Sequence, residues 1–402
     1  MKKLFVSAIS ILLLTFLAAC TSNGEEGKDA ENEHGEHTEA SETNGDVSSE
    51  LLVASTKNVT RLHADTLNDA AIMVSQTIWP ATGSDNRPGT VILAPADQWQ
   101  IALAGADLIH HPNNGPVLFY NQELSEETLN EINRLNPTGN ANGTEVMVMG
   151  DATEKVLGSL QDYKVEQITG KDAAEFALAV DKKYAETAGE LPQSVIIVSL
   201  EDEAKLFSLI ASNWIAHMPE PILFVSKDDI PKATVEALKS RGNKANIYVL
   251  APEEVISEGV VTSLKEYGNV TRIEGENPVE ASIAFAKFKD EKTGFGWGVT
   301  EPGHGFAFTT TAKPEFAIAG APFAHLGKHA PLIWLEDGEA TSAVHEYLAA
   351  LQPKFTNDPT VGPYNHGYIL ANLDEVSMDT QGMIDSMLEI SPAEGSGGHG
   401  SH

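Results

Sequence analysis

The chain has 402 residues, of which 42% are hydrophobic, and 58 acidic against 26 basic side chains give a formal net charge of −32. A surface this acidic repels nucleic acid and anionic lipid headgroups, so partners of those kinds are excluded. Cys20 is the single cysteine, which excludes intramolecular disulfides and cysteine-rich metal sites.

Residues 1–19 have the pattern of a bacterial lipoprotein signal peptide. Lys2 and Lys3 precede an apolar run that ends in the string LAAC, whose cysteine is Cys20. This string resembles the lipobox at which the signal is cut and the cysteine is acylated. We therefore expect Cys20 to anchor the protein by lipid to the extracytoplasmic face of the cell membrane. The alternative is an uncleaved membrane helix, but the run is short for a bilayer span of about 20 residues.

Residues 20–56 are predicted to be an acidic, disordered tether. Large apolar side chains are almost absent from residues 21–50, where ten acidic residues stand against Lys28. Taking the two signal lysines and the tether's net −9 out of −32 leaves −25 on residues 51–402. A folded part with this charge fits an extracellular protein, including one that works in high salt.

Histidine pairs lie in both polar ends of the chain. His34 and His37 are in the tether, and His399 and His402 are in a flexible Gly/His tail, residues 391–402. Imidazoles at such spacings can bind a soft divalent cation, so these four are weak metal-ligand candidates.

Between the tether and the tail, one pattern of four pieces occurs three times. The three copies open with the strings VTRLHAD, VEQITGKD and VTRIEGEN, and their first valines, Val59, Val165 and Val270, are 106 and 105 residues apart. The period predicts three units, residues 57–164, 165–269 and 270–390.

Each unit alternates strand and helix patterns. The strings TVILAP, PVLFY and EVMVMG are continuous apolar runs of strand length, which is typical of strands buried on both faces. In LSEETLNEINRLN the apolar side chains share one helical face, and Ser125 is placed to cap the helix. Strands that alternate with helices predict an α/β fold with a small parallel sheet in each unit.

The order of these pieces resembles the type 2 cell-wall-binding repeats of surface proteins in Gram-positive bacteria. The resemblance covers roughly residues 57–390 and implies three interlocked α/β units around a pseudo-threefold axis, which makes the chain a monomeric pseudo-trimer. It also implies attachment to an anionic cell-wall polymer. The chain departs from the family at two places, since the second Arg of the usual opening and the Asp of the usual second piece are absent from all three units.

No enzyme motif is present, so we expect a protein without catalytic activity. The sequence lacks a G-x-S-x-G elbow, a phosphate-binding loop and an H-E-x-x-H pair. His325 and His329 are four residues apart, as metal ligands on a helix would be, but the other units carry no matching pair, which favours core or rim histidines. His110 and His111 end a predicted helix, where an imidazolium suits the helix dipole.

These observations predict a lipid-anchored, non-enzymatic protein that binds an anionic cell-wall polymer or acts as a scaffold in the cell envelope. The alternative is a solute- or metal-binding lipoprotein. The candidate polymer-binding residues are Arg61, Lys171, Lys232, Arg272 and Trp297. Trp297, in the loop GFGWG, either stacks on a ligand or packs on a neighbouring unit. Because the folded part repels an anionic polymer, we expect Ca²⁺ or Mg²⁺ to bridge the two; no other cofactor is expected.

Overall fold

The computed structural model describes residues 56–83 and 85–393, and strands dominate the interior of this part of the chain. The strands are β1 Val59–Leu62, β2 Val91–Pro95, β3 Val117–Tyr120, β4 Val146–Met149, β5 Val165–Ile168, β6 Ser194–Ser199, β7 Ile222–Val225, β8 Ala245–Leu250, β9 Gly268–Ile273, β10 Gly305–Thr310, β11 Leu332–Leu335, β12 Lys354–Phe355, β13 His366–Leu370 and β14 Ser391–Pro392. Sheet I has the strand order β3-β2-β4-β5, sheet II the order β7-β6-β8-β9 and sheet III the order β11-β10-β13-β1. All pairs within these sheets are parallel, which confirms the predicted fold class.

The opening strand of each repeat completes the sheet of the repeat before it. β5 pairs with β4, and β9 pairs with β8 along its whole length. β1 pairs with β13, with Val59 opposite Gly367, so the first strand lies on the sheet of the third repeat and closes a ring. The sheets are therefore offset by one strand from the sequence period. The unit bounds predicted from that period, residues 57–164, 165–269 and 270–390, remain a prediction about the sequence.

The central strands are buried because helices cover both faces of each sheet. Every residue of β2 and of β6 is buried. Strands buried on both faces need apolar side chains at successive positions, which explains the continuous apolar runs in the sequence.

Helices α1 to α13 fill the connections between the strands. They are α1 Leu67–Ile78, α2 Trp99–Gly105, α3 Glu126–Leu135, α4 Glu154–Gly158, α5 Ala173–Ala188, α6 Lys205–Ser208, α7 Ser212–His217, α8 Lys232–Ser240, α9 Glu258–Leu264, α10 Pro278–Lys287, α11 Phe316–Gly320, α12 Ser342–Ala350 and α13 Met378–Leu388. Ser125 accepts a hydrogen bond from the Thr128 backbone N–H, which confirms the predicted cap. Across the described ranges, no helix combines the length and apolar character that a bilayer crossing needs.

We call α2, α6 with α7, and α11 the inner helices, since they make the contacts between repeats. α2 packs on α5, α6 packs on α10, and α11 packs on α1, so the order of contacts is cyclic. α7 also lies against the turns Ala106–Ile109 and Ala324–Lys328, which extend the other two inner helices. Asn213 on α7 donates to the Ala330 carbonyl at 2.8 Å and so ties the second repeat to the third.

The start of β9 offers a test of how closely neighbouring repeats are joined. A Cβ added at Gly268 would lie 1.9 Å from the Ala245 carbonyl oxygen of β8. We expect Gly268→Ala to lower the free energy of unfolding by about 1–3 kcal/mol, because backbone must move to admit the methyl group.

Gly382→Ala is the matched control for this substitution. Gly382 lies inside α13 with open space around it, so alanine should stabilise the protein by about 0.5–1 kcal/mol. Urea unfolding of both variants provides the measurement. Equal stability of the two would contradict the close approach of β9 to β8.

Candidate functional site

Arg61, a predicted polymer-binding residue, is buried inside the protein. Its Nε donates to Gln381 at 2.7 Å, its Nη1 to the carbonyls of Ala371 and Asn372 at 3.2 and 2.8 Å, and its Nη2 to the Ser377 carbonyl at 3.3 Å. Burial lowers the pKa of its guanidinium to about 10. The side chain therefore holds β1 to the loop that follows β13, and its donors are used within the protein.

Arg272, at the same place in the third repeat, has the same structural role. It donates to the carbonyls of Ala251 and Ile256 at 2.8 and 2.9 Å and pairs with Glu258 at 2.7 Å. In the second repeat Gln167 takes this position and donates to the Gly150 carbonyl at 2.9 Å. The string Val-Thr-Arg, which opens the first and third repeats, thus marks an arginine that fastens an opening strand to the preceding repeat.

The other predicted candidates lie at the surface or between repeats. Lys171 is 87% exposed and stands 3.7 Å from Glu175, one helical turn away. Trp297 stacks on His217 with ring centroids 5.5 Å apart and meets Trp214 edge-on at 5.0 Å. Trp297 therefore packs on the second repeat, as one of its two interpretations predicted. A polymer contact for either residue remains a prediction.

Three grooves lie at corresponding places in the three repeats. Each lies between the first helix of its repeat and the helix that follows the inner helix of that repeat. Groove 1 lies between α1 and α3, groove 2 between α5 and α8, and groove 3 between α10 and α12. Their volumes are about 560, 310 and 530 Å³. All three are open to solvent, so they suit an extended ligand better than an enclosed small molecule.

The grooves share a position but differ in charge. The charged linings are Asp65, Asp69, Glu127, Glu131 and Arg134 in groove 1, Glu175, Lys182, Lys232 and Glu236 in groove 2, and Glu274, Glu280, Lys287 and Glu346 in groove 3. Grooves 1 and 3 are therefore acidic, while groove 2 is balanced. Lys232 also lines an adjoining recess of about 570 Å³ together with Lys239, so the surface near groove 2 holds a local excess of lysine.

The floor of groove 1 is an internal ion pair. Glu131 is 2% exposed and accepts two hydrogen bonds of 2.7 Å from Arg134. The hydrogen bond to Glu131 raises the pKa of Arg134. Because these two charges neutralise each other, the charges that groove 1 presents to a ligand are the carboxylates of Asp65, Asp69 and Glu127.

Histidines from the ends of the inner helices form a second cluster, which we call the histidine junction: His110, His217, His325 and His329. The rings of His110 and His325 are 5.3 Å apart, and those of His217 and His329 are 4.3 Å apart. His325 donates from Nε2 to Asn114 Oδ1 at 2.7 Å. Each of the three repeats contributes to this cluster.

The imidazolium predicted for His110 is wrong. Burial, followed by the neighbouring His325, lowers the pKa of His110 to about 4, so the ring is neutral near pH 7. Loss of water around the ring outweighs the favourable helix dipole. His217 was not predicted from the sequence, although a signal was present. A proline stands directly before β3, β7 and β11, and a histidine precedes each of these prolines by six, four and six residues: His110 before Pro116, His217 before Pro221 and His325 before Pro331.

Two carboxyls lie in the same interior region, and we call Asp107 and Glu220 the carboxyl pair. Asp107 is fully buried, and neither of its carboxyl oxygens has a hydrogen-bond partner. Burial raises its pKa well above the usual value. Burial also raises the pKa of Glu220 to about 7, even though Glu220 accepts a hydrogen bond from Trp214 Nε1 at 3.0 Å.

No group of three or more His, Cys, Asp or Glu side chains within residues 56–83 and 85–393 could hold a metal ion by itself. The predicted metal candidates His34, His37, His399 and His402 lie outside the described residues, as does Cys20. The metal and lipid sites therefore remain predictions.

Two solved structures share this fold. Cwp6 from Clostridium difficile, a cell wall protein, superposes with a TM-score of 0.68 at 17% identity over 84% of this chain and 48% of its own. Cwp8 from the same organism, also a cell wall protein, gives 0.64 at 17% identity over 86% and 54%. The chain thus spans about half the length of each. No protein-family profile and no curated protein sequence matches it. At this identity the likeness establishes the fold.

The role of Arg61 can be tested by removing its donors. In Arg61→Met the carbonyls of Ala371, Asn372 and Ser377 lose a buried charged donor, and we expect the free energy of unfolding to fall by about 2–4 kcal/mol. Lys171→Met removes the same charge from an exposed site and should change stability by less than about 0.5 kcal/mol. Urea unfolding distinguishes them, and similar losses in both would show that charge rather than fastening is responsible.

Proposed function

We propose that the protein is a non-enzymatic, cell-wall-associated binding protein, held on the outer face of the membrane by a lipid on Cys20. The observation that carries this proposal is the closed ring of three α/β repeats, the fold shared with Cwp6 and Cwp8. The lipobox-like string supports the anchor. A solute-binding lipoprotein is less well supported, since a receptor of that kind divides into two lobes around one ligand.

The three grooves are the proposed contact surface for a wall polymer. A polymer offers the same chemical unit many times, and a ring with three grooves at corresponding positions can engage several units of one chain. Engagement at one groove raises the effective concentration at the next, so weak contacts combine into firm attachment.

A divalent cation is proposed to join an anionic polymer to the acidic grooves 1 and 3. The carboxylates of Asp65, Asp69 and Glu127 in groove 1, and of Glu280 and Glu346 in groove 3, are oxygen ligands of the kind that Ca²⁺ and Mg²⁺ accept. The polymer supplies the remaining oxygens. Groove 2, where Lys182 and Lys232 stand beside their carboxylates, is the surface for direct contact with polymer anions.

A wall-binding isotherm at fixed ionic strength, with and without EDTA, tests the bridging proposal. We expect binding by the wild-type protein to be lost with the chelator. The double variant Glu127→Gln/Glu346→Gln should bind about fivefold to tenfold more weakly, because each groove loses one exposed carboxylate. The matched control is Glu253→Gln/Glu254→Gln, which makes the same charge change at exposed positions away from the grooves.

Each other outcome of the isotherm has a definite meaning. Binding that survives EDTA but weakens as monovalent salt rises rules out bridging and favours groove 2; Lys232→Glu should then reduce binding more than Lys265→Glu, an equal change at another exposed site. An absence of binding under every condition removes the wall polymer as ligand.

The anchor is tested separately. We expect Cys20→Ser to move the protein from the membrane fraction to the medium, because the acyl chains supply most of its hydrophobic attachment. Ser22→Ala, which keeps the cysteine, should stay in the membrane fraction. Immunoblots of the fractions give the answer, and a membrane-bound Cys20→Ser protein with its signal removed overturns the lipoprotein assignment.

A further inference from the structure

The histidine junction brings basic side chains together without a counter-ion. Within residues 56–83 and 85–393, no carboxylate forms an ion pair with any of its four imidazoles. Nδ1 of His217 is buried and has no hydrogen-bond partner. A proton added to one ring would place a cation with its ring centre 5.3 or 4.3 Å from that of another imidazole, and burial already disfavours the charged forms of His110, His217 and His325.

At the same junction, the imidazoles must stay deprotonated to remain uncharged, whereas the carboxyl pair must stay protonated. Asp107 lies in the turn that extends α2, and Glu220 follows α7, so the two belong to inner-helix segments that pack on each other. Ionised Asp107 would be a buried anion without a hydrogen-bond donor. The charged and titratable groups that face the junction and the carboxyl pair from the surrounding elements include His111, Asp181, Tyr184, Arg241, Tyr248, Lys289 and His304.

These surrounding groups do not make the charged form favourable for the imidazoles or for the carboxyl pair. Arg241 is engaged with Asp181 through two hydrogen bonds of 2.8 and 2.7 Å, so its charge is already compensated. Lys289 lies near His217 and disfavours a second cation there. Tyr184 is a neutral hydrogen-bond partner for His110 at 3.2 Å. At the contact between the inner helices, burial therefore disfavours the charged forms of His110, His217 and His325 and of both carboxyls.

We propose that this contact is a proton-sensitive junction, which holds the inner helices of the three repeats together while its imidazoles and carboxyls are uncharged and loosens when either set becomes charged. The strand ladders of the three sheets do not depend on these side chains. Loosening therefore changes how the repeats are held against one another before any sheet unfolds.

Acid acts through the imidazoles. The pKa values of His110 and His217 are lowered from 6.5 to about 4, mainly by burial and then by the neighbouring imidazoles, and that of His325 is lowered as well. A group with a lowered folded-state pKa gives stability that is fully present above the unfolded pKa of 6.5. That stability is lost as the pH falls from 6.5 towards 4.

Base acts through the carboxyl pair. Burial raises the pKa of Glu220 from 4.5 to about 7, and that of Asp107 moves in the same direction. A raised folded-state pKa gives stability that is fully present below the unfolded pKa of 4.5 and, for Glu220, is lost as the pH rises from 4.5 to about 7. Between pH 4.5 and 6.5 the imidazoles and the carboxyls therefore change the stability of the junction in opposite directions as the pH falls. Different residues cause the two changes, so substitution can separate them.

Two tryptophans report on the junction without labelling. Trp297 stacks on His217, and Trp214 donates to Glu220. The experiment measures tryptophan fluorescence and amide hydrogen exchange from pH 4 to 8, with exchange corrected for its intrinsic pH dependence. Wild-type protection of residues 106–114 and 212–220 should fall about tenfold between pH 6.5 and 4.5, while β2 and β6 stay protected.

Paired variants show which residues cause the loss of stability in acid and which cause the loss as the pH rises. His217→Gln should remove a large part of the acid-induced loss, and Glu220→Gln should remove a large part of the loss that the carboxyl pair causes as the pH rises from 4.5 to about 7. His63→Gln and Glu126→Gln make the same changes at exposed sites and should keep the wild-type profile. His110→Asn, in a different repeat, tests the acid-induced loss again if His217→Gln fails to fold.

Three results overturn the proposal. The first is wild-type protection of the inner helices that does not change with pH. The second is acid-induced loss that is equal in β2 and β6. The third is a His217→Gln or His110→Asn protein that keeps the full wild-type dependence on acid. The wild-type profile alone decides the first two, so the proposal stays testable even if neither variant folds.

Discussion

The edge of a parallel sheet carries unpaired N–H and C=O groups, and each sheet of this protein has such an edge covered by a strand from the next repeat. β5, β9 and β1 fill these positions, and every strand pair is parallel. The added strand becomes the new edge of the sheet, so the exchange contributes backbone hydrogen bonds between repeats. It also makes the repeats depend on one another, because none has a complete sheet without its neighbour.

Buried arginine side chains also join neighbouring repeats, in addition to the backbone pairing of strands. Arg61 and Arg272 reach from an opening strand into the loop that follows the preceding sheet, and they donate hydrogen bonds to carbonyls there. Gln167 does the same with one hydrogen bond. The second repeat adds the fully buried Arg241 to Asp181 pair, whose cost of desolvation is offset by bidentate geometry. Buried charge inside this protein thus serves assembly.

Sequence could predict the local features and not the pairing between repeats. The apolar runs, the cap at Ser125 and the threefold period follow from rules that act over a few residues. The partner of β1 does not, since Val59–Leu62 has the same pattern whichever sheet it joins. For the same reason Arg61 was interpreted as a surface cation: its acceptors, Ala371 and Asn372, are more than 300 residues away along the chain. His217 was missed because its meaning depends on histidines in the other repeats.

The pairing of β1 with β13 has a consequence for how the chain folds. Thr60 Oγ1 lies 3.0 Å from His366 Nε2 across a separation of 306 residues, and among the strand pairs of the described residues β1 with β13 closes the longest loop. Contacts of such high order form late, because the entropy of loop closure opposes them until most of the chain is in place. While β1 waits, the edge of β13 is open to β1 from any copy of the protein. Crowding of newly made chains at this stage favours domain-swapped dimers, in which the first strand of one copy closes the ring of another.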